Sequence, residues 1–184
     1  MAIHIGIPAR YGSTRFPGKP LKNILGISMI EHCYRRAKLV KNIESVFIAS
    51  GDKKISNFCE EKNLKYIETD PLIQRPGLRV QKAAEALDLK DDDIVVVWQG
   101  DEPLIHPSMV FKAIEPLIKE PNSIFVSNMM AKASTKDRDN PSEIKVVVNK
   151  FNHAIFMSRA AIPSKFHEEE PTSSFKQVCV MPFR

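Results

Sequence analysis

Residues 7–21 read IPARYGSTRFPGKPL, and the fold of the chain is read outward from this stretch. It follows a strand-like apolar segment, Ile3 to Ile7, and precedes Met29, Ile30, Cys33, Ala37 and Val40, which fall at helical spacing behind Ser28 as a candidate N-cap. A strand, a turn and a helix in that order gather backbone N–H groups and a helix N-terminus around the turn. Arg10, Arg15 and Lys19 add positive charge, Ser13 and Thr14 add hydroxyl donors, and Gly12 and Gly18 keep the turn permissive. Such a loop suits a polyphosphate; a plain basic surface loop is the competing reading.

Short β-rich runs and amphipathic helical runs alternate along the whole chain, with no repeat or low-complexity segment, which is the pattern of an α/β layer fold. Val46 to Ala49 reads as a second strand. Asp52 is placed to cap a helix that turns Ile55, Phe58 and Cys59 inward, and Leu64 to Ile67 follows as a short strand. Gly77 to Leu87 and Pro107 to Lys119 read as helices, Ile124 to Met129 as extended, and Ile144 to Asn149 with Ala154 to Ser158 as a hairpin turning at 150–153. Ile94 to Trp98 is an unbroken apolar pentad, the mark of a central strand covered on both faces.

That pentad puts Gln99, Gly100 and Asp101 at a strand's carboxyl end, where ligands bind in open α/β sheets. A carboxylate facing a triphosphate there suits Mg²⁺, which takes one or two protein oxygens and fills its octahedron with phosphate and water. Alternatively, Asp101 caps the turn before Glu102 and Pro103.

The 184 residues fit one domain, with 27 basic and 22 acidic side chains giving a net charge of +5. This mild excess suits small anions, and no basic stripe interleaved with aromatics points to nucleic acid. Cys33, Cys59 and Cys179 are far apart and odd in number, so they read as buried free thiols of a reducing compartment. No apolar run approaches a membrane span, and a soluble cytoplasmic protein is expected. The five histidines, His4, His32, His106, His153 and His167, lack metal-ligand spacing and read as surface or turn residues; Asp91 to Asp93 read as a turn at the wrong end of the pentad for a site. No serine has the partners of a hydrolase triad.

Four segments together carry a resemblance: IPARYGSTRFPGKPL at 7–21, WQGDEPLI at 98–105, NPSEIKVV at 140–147 and FMSRAAIP at 156–163. In composition, order and spacing they resemble the cytidylyltransferases that activate acidic eight- and nine-carbon sugars, the acylneuraminate and 3-deoxy-manno-octulosonate (Kdo) group. The resemblance implies a Rossmann-like three-layer nucleotidyltransferase fold with a mostly parallel central sheet, formed by residues 1–184 as a single nucleotidyltransferase domain. It implies that Pro8, Ala9, Arg10, Ser13, Arg15, Lys19 and Gly77 serve the nucleotide, with Arg10, Lys19 and Asp101 catalytic. Asp101 would carry Mg²⁺, Gln99 would lie beside the sugar, and Lys145 and Arg159 would line the sugar-acid side. The implied reaction is transfer of CMP from CTP to the anomeric hydroxyl of an acidic sugar, for surface polysaccharide or lipopolysaccharide synthesis.

Three departures from the family pattern stand out. A His, Ser, Gly, Thr, acidic, Arg run is replaced here by residues 74–80, of which Gly77 alone survives, and a His-Leu-Gly-Ile-Tyr strand is replaced by residues 177–181. Family members continue past the position of Arg184 to a dimer-forming segment and a second metal-binding Asp before a Thr-Pro turn. On this reading the chain is C-terminally short, and a homodimer is expected of the full-length form. Two other classes stay open: a sugar-1-phosphate nucleotidyltransferase, which the Pro8-Ala9-Arg10 start of the loop disfavours, and an inactive relative serving as a binding or assembly protein.

Overall fold

A five-stranded sheet is built around β1 (Ile3–Pro8), whose residues are buried from His4 onward. The structure is a computed structural model that describes residues 1–12, 16–164 and 174–184. Contacts divide the chain into two compact units, residues 1–127 with 179–184, and residues 128–178.

In the first unit β1 is followed by a short hairpin, β2 (Asn23–Ile24) and β3 (Ile27–Ser28), and by α1 (Met29–Ala37). Ser28 caps α1 as its sequence suggests, accepting the Glu31 N–H. Then come β4 (Ser45–Ser50), α2 (Lys53–Glu61), β5 (Tyr66–Glu68), α3 (Pro76–Ala86), β6 (Ile94–Trp98) and α4 (Pro107–Lys119). The last strand, β11 (Val180–Phe183), joins after the second unit, and the sheet order is β11-β6-β1-β4-β5. Pairings among β6, β1, β4 and β5 are parallel, and β11 runs antiparallel on the β6 edge.

Register explains how the sheet is covered. Gly6 lies between Phe47 and Val97, and these residues face α3, where Val80, Ala83 and Ala84 complete an apolar cluster with Ala49 and Val95. A Cβ on Gly6 would stand 2.4 Å from a Val80 methyl, so the glycine lets α3 seat directly on β1. Ile5, Ile7, Val46, Ile48 and Val96 point the other way and are also buried, with α1 packed over β1 and β4. Right-handed crossovers therefore wind α1 and α2 over one face and α3 over the other.

The second unit is a four-stranded antiparallel sheet in the order β7-β10-β8-β9, formed by β7 (Met129–Ala133), β8 (Lys145–Val148), β9 (Ala154–Ser158) and β10 (Ser174–Val178), with α5 (Thr135–Asp139) packed on β7 and β10. The expected hairpin is present: Asn149 Oδ1 accepts from the Phe151 and His153 N–H groups, and Asn152 takes a positive φ of 62°. β9 is an edge strand with Ile155 and Phe156 exposed.

Several expectations change. The extended segment placed at 124–129 is irregular apart from a bridge between Val126 and Phe183, and the strand begins at Met129. Its backbone is drawn instead to the end of β11, where Ser127 N–H donates to Pro182 and Arg184 N–H to Phe125. The strand placed at 64–67 lies at Tyr66–Glu68. Asp52 occupies the N-cap position of α2 without capping it. His4 is buried, with Nδ1 2.8 Å from Ser45 Oγ, and Cys179 is half-buried. Asp93, in the expected turn, is also buried and accepts the Ala2 N–H at 2.5 Å. Among the described residues no helix is long and apolar enough to cross a membrane.

This packing sets two measurable expectations. At Gly51 a Cβ would stand 2.4 Å from the Thr69 carbonyl oxygen and 2.5 Å from Pro71 N, backbone that cannot swing aside. Gly51→Ala is expected to lower stability by about 1–3 kcal/mol, read as a lower urea midpoint at unchanged slope. In the second unit, Lys176 Nζ lies 2.9 Å from Asp137 and holds that carboxyl well below its ordinary 3.8, at about 2, with Ser134 assisting. A depressed folded-state value stabilises above pH 3.8 and loses that effect as pH falls through about 2. Asp137→Asn should therefore melt below the parent at neutral pH, with the gap closing on acidification through that window.

Candidate active site

Strand order reverses at β1: the chain continues to β4 on one side and returns to β6 on the other. Loops leaving β1 and β6 diverge from such a point and leave a crevice at the carboxyl ends. Here the two loop roots touch. A Cβ on Gly100 would be 2.7 Å from the Pro8 carbonyl oxygen, so only glycine permits this approach of backbone to backbone. Above it, Lys19 Nζ donates to Asp101 Oδ2 at 2.8 Å, both side chains remaining partly exposed.

The loop after β1 is fixed at several points. Ala9 N–H donates to Ala49 at 3.0 Å, and Tyr11 N–H to the Asp52 carboxylate at 2.7 Å, which is what the capping position of α2 does with its side chain. Gly18 donates back to Tyr11 at 2.9 Å with a positive φ of 70° and lies against the Tyr11 ring, and the Lys54 ammonium stands 4.2 Å from the centroid of that ring. A 3-10 turn, Lys19–Leu21, then buries Pro20 and presents Lys19. Ser13, Thr14 and Arg15 lie outside the described residues.

The turn after β6 is tied from below. Glu102 N–H donates to Gln99 at 3.1 Å, and the fully buried Trp98 sends its indole N–H to the Glu102 carbonyl at 3.1 Å. Burial pushes the nearby Cys33 thiol up to about 12, so it stays protonated beside Asp101 and Glu102. Gln99 is half-buried next to this turn. Asp101 directs its carboxylate to Lys19. Among the described residues no group of three metal-ligating side chains exists. A partly exposed single carboxylate fits Mg²⁺ delivered with phosphate, which needs one or two protein oxygens.

Arg10 is exposed and donates from Nη1 to Gln74 Oε1 at 2.8 Å. Gln74 belongs to the segment between β5 and α3, which Arg79 holds from within α3: the residue is 4% exposed, and its guanidinium donates to Thr69 Oγ1 at 2.5 Å and to the Ile73 carbonyl at 2.6 Å. Burial draws this guanidinium below its ordinary pKa, opposed by the charges of Asp52 and Asp70. Gly77 opens α3 with room around it: a Cβ there would find Met181 Cε as its nearest neighbour, at 3.6 Å. The loop contacts of Gln74 and Asp52 escape a reading of the sequence because their partners, Arg10 and Tyr11, are remote along the chain. The single available signal is that 74–80 departs from the family run beside the surviving glycine.

Lys145 and Arg159 belong to the second unit. Lys145 is fully buried, and its ammonium donates to the carbonyls of Asn140, Glu143 and Arg159 at 2.9, 2.8 and 2.6 Å. Arg159 Nη1 donates to Pro141 and Ser142 at 3.1 and 2.8 Å. The two cations thus clasp the 140–143 turn against the end of β9. In the first unit an open hollow of about 530 Å³ lies between the loop and α2, lined by Tyr11, Leu21, Lys22, Lys54 and Phe58; it contains none of Arg10, Lys19 and Asp101.

Residues 4–184 match the family model described as cytidylyltransferase. The chain belongs to this family. It is 38% identical over 164 residues to the 8-amino-3,8-dideoxy-manno-octulosonate cytidylyltransferase of Shewanella woodyi, covering 89% of this chain and 67% of that one. The protein of the same name from Shewanella baltica is 37% identical over the same shares. A solved CMP:2-keto-3-deoxy-manno-octonic acid synthetase, complexed with CTP, superposes with a TM-score of 0.88 at 32% identity, covering all of this chain and 74% of that one. A cytidylyltransferase of Leptospira borgpetersenii shares the fold at 23% identity and a TM-score of 0.57, over 68% of this chain and 52% of that one. The expected family, the mostly parallel nucleotidyltransferase sheet and the enzyme class are thereby established, and the Shewanella proteins and the solved synthetase are named for Kdo-type sugars.

For a cytidylyltransferase built this way, Gly100→Ala should leave the fold intact by circular dichroism and part the two loop roots. Displacement of Asp101 from Lys19 by about 1 Å is expected to lower kcat/KM for CTP by roughly 100-fold. Parental kcat/KM in this variant would show that the close approach is unimportant.

Proposed function

We propose that the protein transfers CMP from CTP to the anomeric hydroxyl of a 3-deoxy-ulosonic acid, Kdo or its 8-amino analogue, and releases pyrophosphate. The observation that carries this reading is the meeting of Lys19 and Asp101 at 2.8 Å on the rim of the β1–β6 crevice. A cation and a metal-type carboxylate side by side suit one polyphosphate and have no evident use in packing, since both side chains are partly exposed.

In this reading the anomeric oxygen attacks the α-phosphorus as its proton departs, the new O–P bond forms, and the bond to the β-phosphate oxygen breaks. Mg²⁺ held by Asp101 and the phosphates would supply Lewis-acid stabilisation of the charge on them. Lys19, which donates to Asp101 here, would turn its ammonium to the phosphates. Arg10 offers its remaining N–H donors to the nucleotide, and Pro8 and Ala9 bring backbone close to it, with Gly77 leaving space at the start of α3. Ser13 and Arg15 keep their assignment to the phosphates from the family resemblance. No protein nucleophile is required; alignment and preorganised charge lower the barrier.

Gln99 is assigned to the sugar from its place beside Asp101. Arg159, with donors to spare, is assigned to the sugar acid, and Lys145, whose three protons are all engaged, supports that function by shaping the 140–143 turn. The product fits supply of an activated acidic sugar for surface polysaccharide or lipopolysaccharide, made in the cytoplasm where CTP is formed, by a homodimer.

Pyrophosphate release from CTP with Mg²⁺ and either Kdo or its 8-amino analogue tests the reading directly. Lys19→Ala is expected to cost roughly 3 kcal/mol of transition-state stabilisation, about 100-fold in kcat, with little change in melting temperature. Parental turnover of this variant at saturating CTP would remove Lys19 from the chemistry.

A further inference from the structure

Arg10 is held by a carboxamide where a carboxylate would be the stronger partner. The Gln74 side chain has its own anchor: Nε2 donates to the Leu72 carbonyl at 3.3 Å, which turns Oε1 toward the Arg10 guanidinium, a group that can only donate. The backbone carrying Gln74 is stitched at each stage. Thr69 N–H donates to Ser50 at 3.0 Å, Asp70 Oδ1 accepts the Leu72 N–H at 2.8 Å, and Ile73 N–H returns to the Asp70 carbonyl at 3.2 Å. Inside this bend lies the Arg79 guanidinium, joined to Thr69 and Ile73. Burying an arginine is costly unless its donors find acceptors, and here Nη1 and Nη2 each find one in the bend that presents Gln74.

We infer that Gln74, seated by Arg79, is a positioning residue that holds Arg10 in one orientation while leaving its positive charge whole. A carboxylate at position 74 would grip Arg10 more tightly and cancel the charge the nucleotide needs; a neutral amide orients without neutralising. Arg79 repels Arg10 as a like charge, so without the Gln74 acceptor Arg10 has reason to turn outward. This inference rests on the reading of Arg10 as a nucleotide ligand, and the test separates the two.

Calorimetric titration with CTP and Mg²⁺ on the parent, Arg10→Ala, Gln74→Ala and the double variant forms the cycle. Arg10→Ala is expected to weaken CTP by about tenfold or more, and Gln74→Ala by about 3- to 10-fold at unchanged melting temperature. The double variant should bind as Arg10→Ala does, since Gln74 acts through Arg10 alone. Gln74→Glu should weaken CTP further than Gln74→Ala, because it holds the guanidinium and cancels its charge. Arg79→Lys, which retains one of two hydrogen bonds, should fall between the parent and Gln74→Ala. If the parent takes up no CTP, or Arg10→Ala binds as the parent, the Arg10 reading fails and this inference with it. If Arg10→Ala weakens CTP while Gln74→Ala does not, or their losses multiply in the double variant, positioning by Gln74 is overturned and Arg10 stands.

Discussion

Lys19 and Asp101 are 82 residues apart and meet because two backbones touch beneath them. The contact between Gly100 and the Pro8 carbonyl sets the distance between the loops after β1 and β6, and every group on either loop inherits it. The constraint is steric before it is electrostatic. An ion pair between partly exposed groups contributes little to stability, so the pair reports the geometry more than it creates it. The buried parallel strands supply the rigid base, and the partly exposed charge above it is free to exchange partners.

A second layer of order surrounds that contact. Asp52 gives up a helix cap to hold Tyr11, and Arg79 gives up solvent to hold the bend before α3. In both cases a polar side chain that ordinarily serves its own helix reaches into the loop region instead. Loops bonded this way lose conformational freedom on folding, before a ligand binds, which is the condition for preorganised charge.

The first unit was largely legible in the sequence, and particular residues show why. Ile94 to Trp98 is bounded by Asp93 and Gln99, and Pro107 starts α4 at a position where its missing N–H costs nothing, so both elements were placed to the residue. In the second unit the local pattern says less. Met129–Ala133 has weak strand propensity, and residues 175–181 run without a turn residue although the chain changes sheets at Cys179. The burial of Lys145 has no local signal either, since it depends on three carbonyls that replace the water around its ammonium. The site's charged residues were legible through their loop motifs. The partners that aim them were not, because Gln74 is 64 residues from Arg10 and carries no signature of its own.

Trp98 is the one tryptophan of the chain. It is inaccessible to solvent, and its indole N–H ends on the Glu102 carbonyl, one residue beyond Asp101. Indole emission from the protein therefore originates at the floor of the β6 turn and nowhere else. Any movement of that turn alters the polarity and hydrogen bonding of the fluorophore, so the chain carries an intrinsic optical gauge of this turn and needs no attached dye.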